Sequence, residues 1–342
     1  MDIKEIGESG LIKRIADNYR SSHPSIISGI GEDAAALKIS EHDILLTTCD
    51  LLVEDIHFNL SLTDSYHLGR KSLAVNLSDI AAMGGTPRFF LVSLALPPHL
   101  PVEFIDDLYR GMMDLADEFH TRLVGGDTNA SPDKLVIDIT VLGEVNPDHL
   151  LKRSGAQAGD SIFVTGTLGD APLGLFILEK DKKSDRPLSL NTLTSKHLSP
   201  YPRIKEGKTI AENYLASAMI DISDGLLADL RQILTLSKVG ATVWISQLPL
   251  SSEFKQYQDQ HNHNKIIDCA LKGGEDYELL FTAPQTKEKE IYTLSQNLGV
   301  PISKIGEINA SRELIVIAHN QKPYPIDNQG YDHFSFIGRP KL

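Results

Sequence analysis

The chain has 342 residues, enough for about two domains, and its 41% hydrophobic and 23% charged content is that of an ordinary globular protein. A net charge of −13 argues against nucleic acid or an anionic membrane as a main partner, although an acidic protein still binds phosphates where metal ions supply positive charge. With only two distant cysteines, Cys49 and Cys269, neither a disulfide framework nor a CxxC metal site is expected.

The N-terminal stretch MDIKEIGESGLIKRI is charged throughout and has no signal-peptide core. The longest apolar run, FFLVSLALPP at 89–98, is too short to span a bilayer, so a soluble, cytoplasmic chain is expected. The run 42–50 reads as a buried strand ending in Asp50. A small-residue helix carrying Asp79 follows, stopped by GGTP. Next come a strand at 89–96, a helix at 101–120, a short strand into VGGDT and an alternating strand at 134–145. This β-α-β recurrence predicts an N-terminal α/β domain over 1–150, with the polar segment 151–160 opening a second α/β domain over 151–342. In that half SIFVTG is a strand, and 217–240 reads as a strand, a Ser/Asp cap and an amphipathic helix ending at Gly240. ATVWIS, YELLFTA, SKIGEI and ELIVIA are further strands, and the polar stretch 251–265 is expected to face solvent, including its HNH triplet.

Asp79 stands out because Ser72, Asn76 and Met83 share its helix face, and no basic residue follows it until Arg88. A carboxylate among alanines and leucines is costly to desolvate without a cation. Five other acids share its setting beside small or turn-forming residues: Asp33, Asp50, Asp127, Asp221 and Asp224. Singly, each also reads as a helix cap, a turn former or half of a distant ion pair. Together they point to a site for several hard divalent ions, since magnesium takes oxygen ligands. Ser223 and the helix start beside it offer hydroxyl and N–H donors to an anion. His57 reads equally as a ligand or a packed histidine. EGKTI at 206–210 is not a P-loop, because Pro202 stands where the first glycine belongs. Dinucleotide, protein-kinase and nucleophile-elbow motifs are missing.

The blocks GIGEDAAAL, TTCDLLVEDIHF, NLSDIAAMGGTPRFFLVSLALP, GGDT, KRSGAQAGD, TGTLGDA, DISDGL and GGEDYELLF resemble, in order, the motifs of thiamine-monophosphate kinases. These enzymes belong to the aminoimidazole ribonucleotide synthetase superfamily, and the likeness runs on to the C-terminal GYDHF. The resemblance implies a two-domain mixed α/β fold, with N-terminal domains pairing strands across a homodimer. It implies ATP-dependent phosphorylation of thiamine phosphate to thiamine diphosphate, the last step of that cofactor's biosynthesis, assisted by several Mg2+ ions and without a protein nucleophile. Carried over by position, Asp33, Thr48, Cys49, Asp50, Asp79, Asp127, Asp221 and Asp224 fall at metal-ligand positions. Tyr109, Gly126, Asp127, Arg153 and Ser223 fall at ATP contacts, and His57, Glu275 and Tyr331 at thiamine phosphate contacts. Cys49 departs from the usual Ser or Thr; a thiol is a poor magnesium ligand, so any contact there falls to its backbone carbonyl. Glu32 stands where many members carry a second Asp. A selenophosphate synthetase would place a reactive Cys near the N-terminus and a hydrogenase-maturation carrier one at the C-terminus; neither is expected here.

Overall fold

The computed structural model describes residues 3–19, 23–40, 43–183, 191–261 and 266–326. In the first half, helix α1 (Ile3–Tyr19) precedes strands β1 (Ile26–Ser28), β2 (Ala35–Lys38) and β3 (Ile44–Val53). Helix α2 (Ser65–Ala82), β4 (Thr86–Leu96), α3 (Val102–Glu118), β5 (Arg122–Ala130) and β6 (Val136–Val145) follow. These six strands form one mixed sheet in the order β1-β2-β3-β6-β4-β5. The expected β-α-β rhythm is present but interleaved. Strands β4 and β5 are parallel across α3, whereas β6 inserts antiparallel between β3 and β4.

The second half contributes β7 (Asp160–Thr165), α4 (Asp170–Lys183), α5 (Thr192–Leu198), α6 (Ile204–Glu212), β8 (Ala218–Asp221) and α7 (Leu226–Ser237). It continues with β9 (Gly240–Trp244), α8 (Ser252–His261), α9 (Ile267–Lys272), β10 (Leu279–Pro284), α10 (Glu288–Leu298), β11 (Ile302–Asn309) and β12 (Leu314–Ile317). Its sheet runs β12-β9-β11-β7-β10-β8, antiparallel except for β12 beside β9. Strand β7 is buried at all six positions, as a central strand covered on both faces requires.

Helix α2 joins the halves. It is rich in small and apolar residues and buried along most of its length, as a helix enclosed by other elements must be. It crosses α3 where only glycine fits: a Cβ at Gly111 would lie 2.0 Å from the Tyr66 carbonyl oxygen, and one at Gly69 1.9 Å from that of Leu108. On its other side the core runs on without a break into residues of the second half, among them Phe163, Met219, Tyr277 and Phe281. One sequence expectation is corrected and a second, the solvent-facing polar stretch, is refined. The helix after DISDGL ends at a left-handed Lys238, and Gly240 opens β9 instead. Residues 252–261 of the polar stretch form helix α8 and anchor it by Phe254, which is fully buried; the rest of the HNH triplet, 262–263, lies outside the described residues.

Candidate active site

Strand β3 presents Thr48 and Asp50 on the face opposite Cys49, because side chains alternate along a strand. Helix α2 brings Asp79, the end of β8 brings Asp221, and the segment before β2 brings Asp33. One carboxylate oxygen from each of Asp33, Asp79 and Asp221 lies within 4.8 Å of the others. The Thr48 hydroxyl donates to Asp79, and Ser78 Oγ donates to Asp221 Oδ2 at 2.7 Å. The backbone N–H of Asp50 donates to Asn76 Oδ1 at 3.1 Å, which ties β3 to the polar face of α2.

Packed acids without a cation resist ionisation. Burial, with the charges of Asp50, Asp221 and Asp33, raises the Asp79 carboxyl well above the usual carboxylate range. Burial and neighbouring Asp33 push Asp221 up to about 8. Burial together with Asp138, Asp224 and Asp33 pushes Asp50 up to about 6. The donors are carboxylate and hydroxyl oxygens, the hard set that magnesium prefers, and their mutual repulsion is what bound cations would relieve. The residues therefore fit the metal sites expected of them.

The chain also brings its own cation. Arg153 makes a forked pair with Asp33, Nη2 to Oδ1 at 2.8 Å and Nε to Oδ2 at 3.1 Å, and donates to Gln232 Oε1 at 2.5 Å. Its backbone N–H donates to Glu32 Oε2 at 2.8 Å. Sequence spacing left these acids without a visible basic neighbour; the fold supplies one from 120 positions away. Arg153, expected at ATP, is held here by Asp33, itself an expected metal ligand.

The turn from β8 to α7 carries Ser223 and Asp224. Its cap is not the Ser/Asp side chain expected from the motif. Gly225 caps the helix at φ +112°, without a side-chain bond, and Asp229 reaches back from the first turn. Asp229 Oδ2 accepts from the N–H groups of Ser223, Asp224 and Gly225 at 3.1, 3.1 and 3.0 Å. Those donors, expected to meet an anion, are thus taken by an internal carboxylate. An acid in a helix's first turn is a recognisable signal for such a role.

Against this turn lies the segment GGEDYE. The N–H of Glu275 donates to Ser223 O at 2.8 Å, and that of Tyr277 to Ile222 O at 2.9 Å. Glu275 Oε1 pairs with Lys71 Nζ at 2.8 Å and Oε2 with His197 Nδ1 at 3.0 Å. Burial alone would raise the Glu275 carboxyl; Lys71 and His197 outweigh it and hold it well below the usual carboxylate range. Neither Lys71 nor His197 was singled out in the sequence. Lys71 sits eight residues before Asp79 on the same helix, and His197 arrives on α5 with no local signal.

The remaining expected residues lie elsewhere. Cys49 is exposed, with Sγ 2.9 Å from Asp138 Oδ1, so its thiol points away from Thr48 and Asp50. Asp127 and Gly126 sit on exposed edge strand β5, where Asn129 donates to Asp127 Oδ2 at 3.1 Å. Three strand spacings, roughly 14 Å, separate β5 from β3, so this chain does not gather Asp127 with the acid cluster. Tyr109 lies half-buried on α3 against the core. His57 closes the turn after β3, its Nδ1 accepting from the Val53 N–H at 2.9 Å. Tyr331 and the GYDHF segment lie outside the described residues.

Family models for the N-terminal and C-terminal domains of AIR synthase related proteins match residues 31–145 and 157–319. The thiamine-monophosphate kinase of Salmonella typhimurium LT2 is 38% identical over 329 residues, 96% of this chain and 98% of that protein. The Bacillus subtilis enzyme of that name is 36% identical over 91% of this chain and 95% of its own length. The solved structure of AaThiL complexed with AMPPCP and TMP superposes with a TM-score of 0.83 at 34% identity, covering 97% of this chain and 99% of that one. The chain belongs to the AIR synthase-related family and, within it, to the thiamine-monophosphate kinases.

Among the described residues no helix is long and apolar enough to cross a membrane.

Proposed function

We propose that this kinase transfers the γ-phosphoryl group of ATP to thiamine phosphate, giving ADP and thiamine diphosphate. The observation that carries the reading is full-length similarity to AaThiL, solved with an ATP analogue and TMP, combined with the buried carboxylates described above. Asp33, Asp50, Asp79, Asp221 and Asp224 would hold Mg2+, with Thr48 beside them; Asp127 lies apart in the single chain and would join them only with help from another element. When bound, the ions supply positive charge to polyphosphate oxygens that would otherwise repel one another and the acceptor.

The chain's own work is then positioning. The acceptor is a phosphate already ionised at neutral pH, so no strong protein base is needed, and phosphoryl transfer demands alignment and charge neutralisation more than a nucleophile. Asp229 fixes the turn that aims Asp224. The forked guanidinium of Arg153 has the geometry to meet a phosphate when it leaves Asp33. Tyr109, Gly126 and Ser223 are assigned to ATP, and His57, Glu275 and Tyr331 to thiamine phosphate. A division into functional units near residue 150 follows the two sheets, whose strands span 26–145 and 160–317. The open face of the first sheet exposes Leu51, Phe89 and Val124, which supports burial there against a second copy in a homodimer. We place the enzyme in the cytoplasm.

The test is formation of ADP and thiamine diphosphate from ATP and thiamine phosphate, with and without magnesium. Equal amounts of both products, abolished by chelator, are expected. ATP binding without product from thiamine phosphate would refute the substrate assignment and leave only the family.

A further inference from the structure

Glu275 is the outermost member of a three-residue stack that crosses the junction between the halves. Lys71 comes from α2 in the first half and His197 from α5 in the second, and both grip the one carboxylate at 2.8 and 3.0 Å. Their side chains are 5% and 7% exposed, while that of Glu275 is 27% exposed. Two sealed nitrogen groups therefore lie against the carboxylate of a side chain that is itself partly exposed, beside the turn bearing Asp224. The backbone is strained as well: Glu275 sits at φ +69° and Tyr277 at φ +49°, conformations that non-glycine residues adopt only at an energetic cost.

A stability role alone accounts poorly for this arrangement. Buried ion pairs return little net stability, and apolar side chains of similar volume commonly serve as well. A carboxylate clamped on a partly exposed side chain, on strained backbone, is instead what a recognition group requires, because a fixed side chain loses no rotamer entropy when it binds. Each carboxylate oxygen has a second lone pair beyond the one engaged by Lys71 or His197. Those lone pairs suit amino-group donors, and the negative charge suits a cationic ring; thiamine phosphate carries both an aminopyrimidine and a thiazolium.

We propose that Lys71 and His197 are positioning residues of the acceptor subsite, holding the Glu275 carboxylate in one orientation for the cationic heteroaromatic part of the substrate. The inference rests on the reading of Glu275 as a thiamine phosphate contact. It also makes the acceptor subsite depend on both halves of the chain, since either half alone supplies only part of the clamp.

The experiment is steady-state kinetics on the full-length enzyme, varying each substrate in turn, for Lys71→Met, Lys71→Arg, His197→Asn, Glu275→Gln and the double variant Lys71→Met/Glu275→Gln. Expected for Lys71→Met is a rise of tenfold or more in KM for thiamine phosphate, with KM for ATP within twofold of wild type. Lys71→Arg should recover most of the loss, and His197→Asn should raise the same KM several-fold. Adding Lys71→Met to Glu275→Gln should raise it no further, because Lys71 acts through Glu275. The double variant removes both members of the Lys71–Glu275 pair together and strands neither of them, so it reports even where Lys71→Met alone fails to fold. Equal rises in both KM values, a lower melting temperature with unchanged KM values, or additive effects in the double variant would each overturn the positioning role. An unchanged acceptor KM in Glu275→Gln would refute the underlying assignment as well. A raised KM in Glu275→Gln, with none in the Lys71 and His197 variants, would refute the positioning role alone.

Discussion

Replacing Asp221 by Asn should stabilise the magnesium-free protein while removing its response to magnesium. Carboxylate oxygens of Asp33, Asp79 and Asp221 lie within 4.8 Å of one another, and at an effective dielectric constant of about 20 each ionised pair repels by about 3.5 kcal/mol. Asp221 takes part in two such pairs, set against one attraction of similar order to Arg153, so neutralising it should gain about 3 kcal/mol. Asn keeps an oxygen to accept from Ser78 and is nearly the same size, so packing is little disturbed. The pH dependence has a definite sign. Burial, then Asp33, pushes Asp221 up to about 8 from its ordinary 3.8, so the folded metal-free state binds the proton more tightly than the unfolded state. The stability linked to that proton is fully present below about 3.8 and is lost as pH rises through about 8. The variant's advantage therefore widens with rising pH and levels off above about 8. Denaturant melts in chelator, from pH 5.5 to 8.5, measure this directly, with parallel melts in millimolar magnesium. Wild type should gain stability from magnesium and Asp221→Asn very little. A variant less stable than wild type in chelator at pH 8, or one that gains as much from magnesium, would refute the electrostatic reasoning.

Other outcomes follow from single contacts. Asp229→Ala strands three N–H donors, the one of Gly225 buried and the other two partly so, at the turn holding Asp224; a urea melt should show a loss of about 2–3 kcal/mol, and turnover should fall with it. Phe254→Ala should lower stability by about 3–4 kcal/mol despite its polar sequence surroundings, since the ring is fully buried; a loss under 1 kcal/mol would mean that α8 is not anchored as described. Lys71 and His197 depress the Glu275 carboxyl below its ordinary 4.5, so its ionised form contributes stability that is present above about 4.5 and lost as pH falls towards the folded value. Melts of wild type and Glu275→Gln should accordingly converge as pH drops below about 4.5, and a gap that stays constant would contradict the clamp.

Much of this protein is legible in its sequence because the relevant physics is local. The run 42–50 reads correctly as a strand ending near Asp50, although only the folded strand shows Cys49 on the face opposite Thr48 and Asp50. Apolar runs and glycine stops located β3, α2, β4, α3 and most strands of the second half within a few residues. Acids beside small residues marked Asp33, Asp50, Asp79 and Asp221, which the fold gathers. Short-range signals fail where a side chain acts on its own helix start, as Asp229 does in place of a Ser or Asp cap, or where one aromatic buries a polar helix, as Phe254 does. They fail wholly for pairs set by packing. The 120-residue reach of Arg153 to Asp33, the meeting of Lys71 and His197 at Glu275, and the distance of Asp127 from the other acids depend on which strand lies beside which and on how closely glycines let α2 approach its neighbours. Hydrophobic patterning specifies which face of an element is buried; the partner of that face, and so the company each charge keeps, is decided only when the two sheets close around α2.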